Sequence, residues 1–319
     1  MELGLSLHKS ICIEPKTHFF TRTSVSRMPK FMAPSWAPIL NHTSSLRLQP
    51  LPPSAVSMDS SRLENERLDL SKTLTLDSIR ESLIRQEDSI IYNLIERAQY
   101  SYNAPTYDPE SFQLPGFNGS LVEYMLKETE VLHSKVGRYK SPDEQPFFPN
   151  DLPEPLLPPL NYPQVLHPAA ASININDTIW KMYYDELLPR FAAEGDDGNY
   201  GSAALCDALS LQALSKRIHY GKFVAEAKFR DSPQEYTPAI RAQDKDALMK
   251  ILTFEAVEAM VLRRVEQKAM VFGQEVSLDG KGSEAVYKIK PSVVARLYGE
   301  WVMPLTKQVQ VEYLLRRLD

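Results

Sequence analysis

The chain has 319 residues, 43% of them hydrophobic, enough for a sizeable core in one large domain or two small ones. A net charge of −5 gives no general attraction to nucleic acid or to an anionic membrane surface, and no apolar run is long enough to cross a bilayer. With two cysteines, Cys12 and Cys206, neither a disulfide framework nor a zinc site is expected.

Residues 1–57 hold six Lys or Arg against two acids, with thirteen Ser or Thr and seven Pro, while the remainder balances at −9. A basic, hydroxylated, acid-poor leader before an acidic body reads as an organellar transit peptide, and it lacks the apolar centre of a secretory signal. The alternative is a tail that carries no address. Met58 offers a second start, which would leave the product in the cytosol. Cys12 falls in the leader, so Cys206 is expected to be a lone, small core residue. Residues 58–73 read as a linker and 74–319 as one domain.

From Leu74 the pattern turns helical. Thr75, Leu76 and Asp77 offer caps, and Ile79, Leu83, Ile90, Ile91, Leu94 and Ile95 recur at helical spacing, predicting one long helix that ends near Tyr102. Asn118-Gly119-Ser120 opens a second helix through Val136. Residues 141–168 carry nine prolines and form an extended loop. Its Phe147, Phe148, Leu156, Leu157 and Tyr162 predict packing against the body. A third helix is predicted from about Asn176 to Ala193, a turn at 195–201, and a long helix from about Ser202 to Phe229. Helical patterns follow near 236–250 and 254–272. Residues 274–288 read as a polar, hairpin-like connection. Pro291 begins a last helix running to Leu318, with a kink expected at Pro304. Glycine is scarce, no alternating strand pattern appears, and the fold class is all-α.

Several polar residues interrupt apolar faces. Arg217 and Lys228, eleven residues apart, project from nearly one face of the long helix, with Tyr220, Gly221 and Val224 between them. Two stacked cations repel and are costly to desolvate. Either an anion lies between them or each pairs with an acid on another helix. Thr306 and Gln310 at i, i+4 suit a polar pocket, or are satisfied core groups. Glu258 sits in an apolar run, and Arg80 follows Ile79. Together they supply three cations, a carboxylate, a hydroxyl and an amide, without a nucleophile. His219 has no nucleophile or metal spacing nearby and reads as structural.

The sequence from about Leu74 to Asp319 resembles the plant and fungal chorismate mutases along its length. The resemblance rests on Ile79-Arg80-Glu81-Ser82-Leu83 continuing to Ile91, on Ser141-Pro142-Asp143-Glu144, on Pro146-Phe147-Phe148-Pro149, on the run Arg217 to Phe229, and on Val311 to Leu318. It implies an all-helical homodimer with the active site inside a helical bundle, a plastidial isoform, and conversion of chorismate to prephenate without cofactor or metal. Arg80, Arg217 and Lys228 match the family's substrate-binding cations, and Glu258 and Thr306 match groups that hold the substrate hydroxyl and a carboxylate region. Gln310 falls where fungal enzymes have Glu, and Phe254 where the fungal pattern has Asn.

The implied reaction is a unimolecular [3,3] rearrangement. Arg80 and Arg217 would hold the enolpyruvyl chain over the ring, while Lys228 and Gln310 donate to the ether oxygen as its negative charge grows. With an amide at 310, activity is expected to be nearly flat from pH ~6 to 9. The resemblance also implies effector binding at the dimer interface through Gly137, Arg138, Asn199, Gly201 and Ser202. Tryptophan is expected to activate, and tyrosine or phenylalanine to inhibit. Gly137, where fungal enzymes have Arg, either leaves room for an indole or is a packing contact. The competing reading is a catalytically inactive helical protein of the same fold, which the loss of any of Arg80, Arg217 or Lys228 would favour.

Overall fold

The computed structural model describes residues 75–158, 162, 164–275 and 285–319. The leader read at 1–57 and the linker at 58–73 lie outside the described residues. Among the described residues there is no β-strand, only isolated bridges between Ser101 and Ala193 and between Gln274 and Tyr287. The expected all-α class holds.

Helix α1, Leu76–Arg97, starts at a capping box in which Thr75 accepts from the Ser78 amide and Ser78 returns the contact. Its Ile79, Ile90, Ile91, Leu94 and Ile95 are buried. It stops at Arg97, short of Tyr102, because the Arg97 guanidinium draws in the carbonyls of Tyr100, Ser101 and Tyr102 at 2.9, 3.1 and 3.2 Å. Arg97 also donates to Asp207 at 2.8 Å. Asp207 accepts from Tyr107 and Tyr183, each at 2.7 Å. Arg97 and Asp207 are fully buried, so this pair joins the end of α1 to the helix Tyr200–His219 in a fully hydrogen-bonded network.

Helix α2, Leu121–Lys135, opens on a second capping box, Ser120 with Glu123. The proline-rich segment after it is partly anchored. The amides of Phe147 and Phe148 donate to the buried Glu130 carboxylate of α2 at 2.8 and 2.9 Å, and the Phe147 ring meets Trp180 edge-on. Leu156 and Leu157 are exposed, contrary to expectation, since the segment is clasped through those amides rather than through its leucines.

The third predicted helix is broken into α3, Asn176–Lys181, a π-helical turn Met182–Leu187, and a 3₁₀ turn Leu188–Arg190 that contains Pro189. The long helix predicted to Phe229 is two helices, α4, Tyr200–His219, and α5, Gly221–Asp231. Tyr220 keeps right-handed angles (φ −61°, ψ −13°), so nothing local forbids continuation. Gly221 lies so close to the last long helix that a Cβ there would stand 2.6 Å from the Thr306 carbonyl oxygen. Two backbones meet where only glycine fits. Arg217 and Lys228 therefore belong to two successive helices rather than to one.

Helices α6, Pro233–Arg241, and α7, Lys245–Leu252, are separated by Gln243 in the left-handed region. Helix α8, Glu255–Gly273, follows. At the base of the hairpin-like connection, the Glu275 amide donates to the Val286 carbonyl at 2.9 Å; residues 276–284 lie outside the described residues. The last predicted helix is α9, Pro291–Leu297, a π-helical turn Tyr298–Val302, and α10, Met303–Leu315. The irregularity expected at Pro304 lies just before it. A proline ring crowds the carbonyl four residues back and offers no N–H, and a widened turn there absorbs both effects. The core is buried between α1, α4, α5, α8 and α10.

Candidate functional site

Helix α10 carries the polar residues that meet the other helices. Thr306 and Gln310 are both buried. The Thr306 hydroxyl donates to the Val302 carbonyl at 2.5 Å and accepts from Arg217 at 3.4 Å. The Gln310 amide donates to the Thr306 carbonyl at 3.3 Å. The close approach at Gly221 thus sets the distance between Thr306 and the α4–α5 junction.

Arg217 ends α4 almost fully buried, 5% exposed, and its guanidinium stands 5.9 Å from the Tyr298 ring centroid. Among the described residues it has no carboxylate at ion-pair distance. Glu87, whose charge acts on Arg217, is engaged by Arg264 at 2.6 Å and Lys268 at 3.1 Å. Burial holds Arg217 below the usual arginine range, and the Arg264 charge acts in the same direction. Among the described residues the Arg217 Nε, the Gln310 side-chain oxygen and the Tyr298 hydroxyl are buried without a hydrogen-bond partner. Such groups are costly unless something accepts or donates to them.

Lys228, in the last turn of α5, also has no carboxylate at ion-pair distance among the described residues. Its ammonium lies 4.8 Å from the centroid of the Phe254 ring and 3.5 Å from the Leu252 carbonyl. Burial pushes it down to about 8; Glu258 and Glu235 oppose that shift, while Arg80 and Lys307 add to it. Desolvation thus brings this lysine's titration into the range over which a flat profile was expected. Glu258, in the first turn of α8, pairs with Lys307 of α10 at 2.8 Å, and Lys307 also donates to Thr253 at 3.3 Å.

Arg217, Thr306 and Gln310 thus come together, as do Lys228 and Glu258 with Lys307. Arg80 does not reach them directly. It pairs with Asp77 at 2.8 Å and is exposed, within electrostatic range of Lys228. Lys307 was missed by the sequence reading, although it shares a face with Gln310 at i, i+3. Glu87, Arg264 and Tyr298 were missed as well; no spacing joins them, because they come from α1, α8 and the π-helical turn. His219 is structural as read. Its Nε2 accepts from the Ile175 amide at 2.9 Å and its Nδ1 faces the Ser215 carbonyl at 2.9 Å. Burial pushes it down to about 3, so it stays neutral. Cys206 is half-buried rather than a core residue, since it borders a cavity of about 290 Å³ with Ser202 and Leu209.

The expected effector residues fall into two groups. Arg138 follows Gly137, which is left-handed at φ 83° with open space where a Cβ would stand. This glycine is required by the turn that ends α2. Arg138 pairs with Glu144 at 3.0 Å and donates to Gln212 at 3.0 Å. Asn199 caps α4, and Gly201 and Ser202 lie exposed in its first turn. Gln212 is about 16 Å along α4 from Gly201 at 1.5 Å per residue. One chain does not bring both groups to one small ligand.

The family model of chorismate mutase type II matches residues 199–311. Chorismate mutase 1, chloroplastic, of Petunia hybrida is 62% identical over 286 residues, 88% of this chain and 87% of the relative. Crystal structures of AtCM1 with phenylalanine or tyrosine bound in the allosteric site are 67% and 66% identical, both with a TM-score of 0.72, covering 79% of this chain and 99% of that one. The Aro7p chorismate mutase of Candida albicans in complex with L-tryptophan is 43% identical with a TM-score of 0.74, covering 78% of this chain and 94% of that one.

Proposed function

The chain belongs to the type II chorismate mutases, and from that premise we propose that Arg80, Arg217, Lys228, Glu258, Thr306 and Gln310 form the pocket in which it converts chorismate to prephenate. The enzyme is an isomerase, and its reaction breaks a C–O bond and forms a C–C bond within one molecule. One observation carries the residue assignment: Arg217 is buried without a carboxylate partner and with its Nε unpartnered. A dianionic substrate supplies what that guanidinium lacks.

Arg217 grips a substrate carboxylate and, with Thr306, fixes the enolpyruvyl chain over the ring, so that the reacting carbons approach. Arg80 leaves Asp77 to reach the other end of the dianion. Glu258, anchored by Lys307, accepts from the ring hydroxyl. As the ether C–O bond lengthens, Lys228 and the Gln310 amide donate to its oxygen. Gln310 is buried and Lys228 partly so, and a donor preorganised in this way is worth about 3–4 kcal/mol in the transition state. No proton need be removed and no nucleophile is required. Lys228→Ala tests the assignment in a chorismate-depletion assay on protein starting at Met58, with a loss of about 10²–10³ expected. A turnover within about threefold of the parent would remove Lys228 from the mechanism.

Regulation by aromatic amino acids extends the same reading. Arg138 is engaged by Gln212, about 16 Å along α4 from Gly201, which favours an effector site shared by two copies in a homodimer, with Arg138 from one copy and the Gly201 and Ser202 amides from the other. Leu132, Val136, Leu205 and Leu209, exposed on α2 and α4, supply apolar surface for that contact. The relatives named chloroplastic and the basic leader support work in the plastid. The inactive alternative has no support, since Arg80, Arg217 and Lys228 are all present.

A further inference from the structure

The geometry around Lys228 points to Phe254 as a positioning residue: its ring face holds the Lys228 ammonium in the pocket while leaving the ammonium hydrogens free for the substrate. The inference rests on the reading of Lys228 as the donor to the ether oxygen.

A buried ammonium needs a counter-charge or acceptors, and either would compete with substrate. Lys228 has neither in strength. Its one hydrogen bond among the described residues, to the Leu252 carbonyl, is long at 3.5 Å. The charged groups around it come from four helices and do not pair with it: Arg80 of α1, Glu235 of α6, Glu258 of α8 and Lys307 of α10. Glu258 is the carboxylate best placed to capture it, but Lys307 holds that group at 2.8 Å. The Phe254 ring, 4.8 Å away, is what remains.

An aromatic face attracts a cation through its quadrupole and takes no hydrogen from it. The ring also does not titrate. Phe254 is placed for this by its position in the chain. It caps the N-terminus of α8 without a side-chain hydrogen bond and immediately follows Thr253, which Lys307 also contacts. It is 50% exposed, so the core does not depend on it. An aromatic group at a cap position contributes nothing to capping; the ammonium above it gives it a use. The ring favours the charged form of Lys228 and partly offsets the effect of burial. Removing the ring lowers the titration of Lys228 and leaves a larger neutral fraction at a given pH.

The test compares Phe254→Leu, Phe254→Tyr and pentafluorophenylalanine at position 254, which keeps the ring's shape and reverses its quadrupole. Steady-state rates are measured across pH, with thermal melting as a control. Leucine and the fluorinated ring are expected to lower kcat/KM by roughly threefold to thirtyfold and to move the alkaline limb of kcat/KM to lower pH. Tyrosine should keep both near the parent, and all variants should melt alike. A fluorinated variant that matches the parent in rate and limb would overturn the inference. So would a leucine variant whose rate falls while the limb stays in place, because lost packing alone would then explain it. Lys228→Ala is assayed in parallel: if it remains active, the reading of Lys228 fails, whereas an inactive Lys228→Ala beside unaffected ring variants removes only the role of Phe254.

Discussion

Gly221→Ala sets two effects of opposite sign against each other. Gly221 begins α5, and in a helix alanine is favoured over glycine by about 1 kcal/mol. Propensity alone therefore predicts a more stable protein. The structure predicts the reverse. The new Cβ would stand 2.6 Å from the Thr306 carbonyl oxygen and 3.2 Å from the Thr306 Cγ2. The carbonyl is backbone and already accepts from Gln310, so it cannot swing aside, and α5 and α10 must part by most of an ångström. Overpacking of this kind costs about 1–3 kcal/mol, which leaves a net loss of up to about 2 kcal/mol after the propensity gain. The effect on activity is expected to be larger. The displaced contact carries Thr306 and Gln310 on one side and connects to Arg217 and Lys228 on the other, and a misplacement near 1 Å costs about 10²-fold. Chemical denaturation gives the first quantity and chorismate depletion the second. A variant as stable as the parent and within threefold of its rate would show that the close approach does not position the site.

The remaining expectations concern pH and effectors. The alkaline limb of kcat/KM should fall near pH 8, where Lys228 loses its proton in the free enzyme, and the limb of kcat should lie higher, because a bound dianion favours the charged lysine. Coincident limbs would mean that substrate does not touch Lys228. Gln310→Glu should shift the optimum toward acid, since a buried carboxyl donates only while protonated; an unchanged profile would place Gln310 away from the ether oxygen. At subsaturating chorismate, tryptophan should raise the rate and tyrosine or phenylalanine lower it, and Arg138→Ala should blunt each response. Indifference to all three amino acids would refute the regulatory reading.

The helix starts were legible because their signals are local. Thr75 with Ser78 and Ser120 with Glu123 are caps that a few consecutive residues define. The break after His219 was not legible. Tyr220 is helical in its angles, and what the junction packs against, the Thr306 carbonyl, lies far along the chain. The same distinction runs through the site. Arg217, Lys228, Thr306 and Gln310 stood out as polar groups on apolar faces, and three of them converge on α10. Lys307 carries no signal of its own in the sequence, and its role depends on α8 placing Glu258 against it. Phe254 stood out only as a departure from the Asn of the fungal pattern, and its meaning required the position of Lys228. Arg80 shows the limit in the other direction: the resemblance assigns it to substrate, while its own helix gives it Asp77.

The π-helical turn Tyr298–Val302 also sets an angle. An α-helix advances about 100° per residue, and a turn closed one residue wider retards everything after it by a comparable step. Wound as a plain α-helix from Pro291, the same sequence would present a different stripe of α10 to α4 and α5. Thr306 and Gln310 would then face elsewhere, and the Thr306 carbonyl would no longer meet Gly221. The phase of the site is thus written in the winding of five residues, Tyr298 to Val302, that lie before it.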